Sequence, residues 1–130
     1  MSFDLLITGK VSIQILSLEL CSITFNRPVS VRSTGQYLPI LTTTVDCETT
    51  EGRTELKIES KVIDSTEILV NVYSKYYTRY YSDSEVLQYS KETKDFLIHR
   101  GESKSLTHFL QNPLGLNEHS SSTATLKFKG

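Results

Sequence analysis

A chain of 130 residues with 38% hydrophobic and 9% aromatic residues has the size and composition of a single domain, residues 1–130, built on one core. Fourteen Lys and Arg against fifteen Asp and Glu leave a net charge of −1, so no positive excess is available to hold phosphates, and nucleic acid is excluded as an expected partner. No segment approaches the roughly 20 apolar residues of a membrane-crossing helix, and the start MSFDLLITGK lacks a basic leader, which makes a cytoplasmic site the default expectation, with a mature secreted chain from which a signal has been removed as the alternative.

Phe3 to Thr8 is an apolar run ending at Gly9, after which Val11, Ile13 and Ile15 alternate with Ser12 and Gln14. The pattern predicts two strands, or one bent at the glycine. Apolar positions are denser from Leu16 to Phe25, and the turn chemistry of Asn26, Arg27 and Pro28 predicts a strand end there. Val29 and Val31 resume the alternation, Ser33 to Gln36 reads as a turn around Gly35, and Tyr37 to Cys47 is a β-branched strand. Pro39, unable to donate a ladder hydrogen bond, suits a strand start or an edge.

Thr49 to Gly52 joins that strand to Arg53–Ile63 as a hairpin. Arg53, Glu55, Lys57, Glu59 and Lys61 share one side of the second strand, while Leu56, Ile58 and Val62 share the other. The charges alternate in sign, as suits a solvated antiparallel face. Leu56, Ile58 and Val62 are therefore expected in the core, and Glu55, Lys57 and Glu59 in solvent.

Asp64 to Thr66 is a turn, and Ile68, Val70 and Val72 begin the next alternation. It runs into Tyr73, Tyr76, Tyr77, Tyr80 and Tyr81, five of the seven tyrosines. This spacing also fits one helix face, where the stripe would be packing. Continued as a strand, it points Tyr76 and Tyr80 inward and Tyr77 and Tyr81 outward with Arg79. A ring with a polar tip can stack on a sugar, hold a choline group or anchor a protein, so Tyr77, Arg79 and Tyr81 are the expected partner-binding residues.

Ser82 to Glu85 is a polar break able to cap a short helix over Val86–Lys91. Phe96 to Leu106, FLIHRGESKSL, resembles the strand, Gly-Glu-Ser turn and strand of many immunoglobulin-like domains without identifying a family. It is expected to pair as a hairpin about Arg100–Ser103. Asn112 to Asn117 and the polar Glu118 to Ser122 are expected as loop, and the alternation of Ala124, Leu126 and Phe128 gives a final strand.

Cys21 and Cys47 have no CxxC spacing and cannot supply the four ligands of a structural zinc site. Two free buried thiols are expected, with one disulfide between neighbouring strands as the alternative. His99, His108 and His119 could form a three-histidine metal site only by a convergence that their spacing does not provide. Nucleophile elbows and glycine-rich phosphate loops are absent, and the carboxylate pairs Asp46 with Glu48 and Asp83 with Glu85 need a cleft to act as a glycosidase pair. No catalytic residue, metal or cofactor is expected.

The pieces add up to an all-β fold of eight or nine strands, an antiparallel β-sandwich of the immunoglobulin-like or jelly-roll-like kind. The expected function is a non-catalytic module that recognises a protein or carbohydrate partner through loops and the tyrosine segment. A β-rich lipid-binding protein with a toxin-like action on membranes is one alternative. A small metal-dependent or hydrolytic β-barrel enzyme using His99, His108 or His119 is another. A homodimer paired through sheet edges also fits a sandwich.

Overall fold

The computed structural model describes residues 2–16, 18–47, 52–79, 85–111 and 118–130. Among them eight strands follow in chain order: β1 (Ser2–Ile15), β2 (Leu18–Arg32), β3 (Leu38–Cys47), β4 (Gly52–Val62), β5 (Glu67–Thr78), β6 (Val86–His99), β7 (Ser103–Gln111) and β8 (Glu118–Phe128). All the pairings are antiparallel. The first sheet has the order β2-β1-β8-β7 and the second β3-β4-β5-β6. The chain is thus a meander wound once around a core, with β8 returning to β1. It changes sheet at the steps β2 to β3 and β6 to β7, which leaves two seams. The expected all-β antiparallel sandwich is what forms. Its connections are a meander's, which sets it apart from the Greek keys of immunoglobulin-like and jelly-roll sandwiches.

Period-two alternation supplies the core. Leu5 and Ile7 of β1, Leu56 and Ile58 of β4, Ile68, Val70 and Val72 of β5, and Leu126 and Phe128 of β8 point inward and are buried. Each such side chain contributes roughly 1.5–3 kcal/mol through removal from water. Leu56, Ile58 and Val62 lie where the alternation of β4 puts them. On its other side Lys57 is exposed, but Glu55 and Glu59 are half-buried, because side chains from β5 lean over them.

Gly9 does not break β1 into two strands. A Cβ at this position would collide with the carbonyl oxygen of Thr123 and the ring of Phe25, so glycine is what lets β8 and β2 close on either side. The strand end expected at Asn26–Pro28 is absent, and β2 runs through to Arg32. It borders the seam as an edge strand, where a proline without a donor is tolerated. Pro39 likewise sits in the edge strand β3, beside a register shift.

The short helix for which Ser82–Glu85 offered a cap does not form: Val86–Lys91 is strand, held by pairing with β5. The expected hairpin about Arg100–Ser103 forms its turn, with the Glu102 amide donating to the His99 carbonyl at 2.9 Å and Gly101 at φ 81°. Its strands do not pair with each other, however, because β6 follows β5 and β7 follows β8 into opposite sheets. Glu118–Ser122 is the first half of β8 and not loop, its inward Glu118, Ser120 and Ser122 being buried. Their polar character hides a strand whose inner face meets other polar groups: the Thr54 and Ser120 hydroxyls lie 2.6 Å apart, Ser120 donates to the Ser12 carbonyl at 2.9 Å, and the Tyr76 hydroxyl donates to Glu118.

Cys21 and Cys47 form a disulfide and are not the free thiols expected. The bridge crosses the β2/β3 seam, where no ladder joins the two sheets. Across the β6/β7 seam the Lys104 ammonium donates to the Leu97 carbonyl at 2.8 Å, and the buried His108 ring joins Ser74 of β5 to Thr93 of β6, each at 2.8 Å.

Candidate functional site

The outer face of the second sheet collects the charged side of β4 and the outward side of β5. Register sets its rows: Asp46, Arg53, Tyr77 and Leu87 lie across from one another, then Thr44, Glu55, Lys75 and Ser90, then Thr42, Lys57, Tyr73 and Glu92. Glu55, Lys57, Glu59, Tyr73 and Lys75 line an open depression of about 240 Å³. A second depression of about 370 Å³ lies towards β6, lined by Tyr73, Ser74, Lys75, Ser90, Lys91 and Glu92. Tyr73 and Lys75 belong to both, so the Tyr73 ring stands between them.

The ring is held from one side. Its hydroxyl donates to Glu59 at 3.0 Å, and Asn71 donates to the same carboxylate oxygen at 3.0 Å. Asn71 in turn accepts the Asp95 amide at 2.8 Å, and Asp95 accepts the Tyr37 hydroxyl. Burial and the Glu59 carboxylate push the Tyr73 hydroxyl above its ordinary pKa, so it keeps its proton. Burial, together with Asp95, pushes Tyr37 up in the same way. A chain of neutral donors and two carboxylates, those of Glu59 and Asp95, thereby fixes the orientation of Tyr73 before any ligand arrives.

Tyr77 is differently placed. Strand alternation does point it outward and Tyr76 inward, as expected, and residues 73–78 are strand and not helix. The Arg53 guanidinium, however, lies over the Tyr77 ring at 4.4 Å, donates twice to Glu85 at 2.8 and 2.5 Å, and donates to Glu55 at 2.6 Å. One ring face is therefore covered. Arg79 is exposed just beyond β5, and Tyr80 and Tyr81 lie outside the described residues.

The chain matches no protein-family model, no curated protein and no solved structure. What the face can do has to be read from its chemistry. Carboxylates and ammonium groups alternate around one tyrosine ring, which supplies hydrogen-bond acceptors, donors and an apolar surface within one shallow site.

The residues considered for chemistry are dispersed. His99 is exposed at the end of β6 and His108 is buried between the sheets. His119 is half-buried on the outer side of β8, 2.8 Å from Gln14 and tilted against Phe109. Among the described residues no group of three or more His, Cys, Asp or Glu side chains is arranged to hold a metal ion. Ser74 and His108 have the contact of a nucleophile and its base, but both are fully buried and the second ring nitrogen of His108 is engaged by Thr93. Asp46 is exposed on β3, Glu85 is held by Arg53, and Glu48 and Asp83 lie outside the described residues.

Tyr73 is the ring that sequence reasoning passed over, in favour of Tyr77 and Tyr81. A signal for it was present: odd-numbered positions of β5 face outward, and β5 pairs with the strand whose outward side carries alternating charge.

Proposed function

We propose that the protein is a non-catalytic binding module that holds a carbohydrate on the outer face of its second sheet, around Tyr73. The observation carrying this reading is the placement of that ring between two depressions, flanked by Glu55, Glu59, Lys57 and Lys75. Sugar hydroxyls both donate and accept, so a site offering carboxylates and ammonium groups side by side can satisfy them, while the C–H face of a pyranose stacks on a tyrosine ring. Two carboxylates against two ammonium groups create no net field, which favours a neutral glycan over a polyanion. A protein partner fits the same site less well, since a stable protein interface covers about 800 Å² per side around a desolvated centre and the centre of this face carries the charges of Glu55, Lys57, Glu59 and Lys75.

The reading extends to the compartment. A disulfide persists in oxidising surroundings, so the Cys21–Cys47 bridge supports a place outside the reducing cytoplasm, in contrast to the default drawn from sequence. Surface glycans are accessible there.

A glycan array followed by calorimetric titration tests the proposal. Binding to a neutral oligosaccharide that Tyr73→Ala abolishes and Glu59→Gln weakens would support it. No binding across the array, or binding that Tyr73→Ala leaves intact, would remove the site.

A further inference from the structure

Tyr73 and Lys75 stand in the wall common to the two open depressions, so these are neighbours on one face and not separate sites. Strand register gives the direction in which one follows the other. Lys57 pairs with Tyr73 and Tyr73 with Glu92, while Glu55 pairs with Lys75 and Lys75 with Ser90. The first depression therefore rides on β4 and β5, the second on β5 and β6, and a line through both runs across the strands. Neighbouring strands lie about 4.7–4.9 Å apart, which puts β4 and β6 roughly 10 Å from each other along that line.

At about 240 and 370 Å³ the depressions fall at or below the small end of ligand sites, which hold roughly 300–1,000 Å³. Neither takes more than a short piece of a glycan by itself. Past the first, β3 presents the short, exposed side chains Thr42 and Thr44 in register with Lys57 and Glu55. Past the second, β6 is the last strand of its sheet. The face thus continues outward on both sides of the pair, as suits a ligand longer than the two depressions together.

On the carbohydrate reading of this face, on which this step rests, we infer that the ligand is the interior of an extended, linear glycan that lies across β4, β5 and β6 with its middle unit on Tyr73. An extended β-1,4-linked chain advances per pyranose by about one strand spacing, so roughly three consecutive units match the three strands. One unit sits in each depression and one over the shared wall. In the first, the Tyr73 hydroxyl and Asn71 both donate to Oε1 of Glu59, which leaves Oε2 to accept from a sugar hydroxyl. In the second, Ser90, Lys91 and Glu92 supply a hydroxyl, an ammonium and a carboxylate to another unit.

Calorimetric titration with β-1,4-linked oligomers of glucose, mannose and N-acetylglucosamine, from one to six units, tests the assignment. In the series that binds, affinity should rise up to about three or four units and then level off, with a gain of roughly tenfold or more between the dimer and the tetramer. Opening the terminal ring by reduction to the alditol should weaken the trimer and leave the hexamer unchanged, because an interior stretch still fills the site. Lys57→Ala in the first depression and Lys91→Ala/Glu92→Ala in the second should each remove roughly tenfold of the hexamer affinity at an unchanged melting temperature, and should take less from the dimer. Affinity independent of length, a hexamer that depends on its terminal ring, or full hexamer affinity in either depression variant overturns the inference; if Tyr73→Ala still abolishes that binding, the carbohydrate site itself stands. Absence of binding in all three series overturns it as well, and the glycan array then decides whether the site falls with it.

Discussion

The guanidinium carbon of Arg53 lies 4.4 Å from the centre of the Tyr77 ring, and the same group bonds Glu85 and Glu55. One side chain of β4 thus ties β5 to the start of β6. This separates the three described tyrosines of the segment by role: Tyr76 is core, Tyr77 is the bed of a cation, and Tyr73 is the ring left to meet a ligand. Tyr76→Ala should cost roughly 3–5 kcal/mol, because it removes a buried ring and takes its hydroxyl away from Glu118. Tyr77→Ala should cost about 1 kcal/mol through the loosened Arg53, and Tyr73→Ala less than that. Urea denaturation of the three variants gives the order, and a Tyr73→Ala loss equal to that of Tyr76→Ala would make Tyr73 a packing residue.

The disulfide is expected to be a main source of order at the β2/β3 seam. Cys21 and Cys47 are 26 residues apart, and closing a loop of that size in the unfolded chain stabilises the native state by about 3.5 kcal/mol in the chain-entropy model. Cys21→Ser/Cys47→Ser, or the wild type under reductant, should show that loss in the urea midpoint. Reduction should leave the double variant unchanged. Equal stability of oxidised and reduced protein would mean that the seam is held by its side chains alone.

The fold was legible where one rule decided the outcome and hidden where two competed. On β4 the period-two pattern faced no rival, so its inward and outward sides were readable from Leu56, Ile58 and Lys57. At Asn26–Pro28 local turn chemistry opposed strand continuation, and the pairing of Leu6 with Pro28 on an edge prevailed. At Glu118–Ser122 polarity suggested a loop, because a strand can carry buried polar residues only when distant partners such as Thr54 and Tyr76 satisfy them, and partners far along the chain are invisible to pattern reading. The disulfide and the covering of Tyr77 by Arg53 were hidden for the same reason. Both depend on which strands become neighbours.

Gly9 offers a test of the closeness of β1 to its neighbours. Its backbone does not need a positive φ, so the requirement is space alone. Gly9→Ala pushes a methyl group into the Thr123 carbonyl and the Phe25 ring, and should destabilise by about 1–3 kcal/mol. Adding the smaller partner Phe25→Leu should recover part of the loss, read as a smaller effect of Gly9→Ala in that background. Additive losses would mean that the Thr123 carbonyl, and not the ring, sets the limit.

His108 makes stability fall in mildly acidic solution. Burial lowers its pKa, and the charge of Lys91 lowers it further, so the folded protein keeps the ring neutral to a lower pH than the unfolded chain does. The unfolded ring protonates near pH 6.5. Below that value the unfolded state binds the extra proton first, so stability is fully present above about pH 6.5 and is lost as the pH falls towards the depressed folded value. Glu19, Asp64, Glu85 and Glu102 act elsewhere: their pKa values are also lowered, through contacts with Lys10, Thr66, Arg53 and the His99 amide respectively. Their contribution is present above the ordinary carboxylate range and is lost only below about pH 4.5. The window between about pH 6.5 and 5 therefore lies above the loss from these four carboxylates. Urea midpoints of the wild type should decline across it, while those of His108→Gln, which cannot titrate but keeps a polar group between Ser74 and Thr93, should decline less. Parallel curves for the two proteins would assign the acid sensitivity to another group and leave His108 as a tie between β5, β6 and β7 with no titrating role.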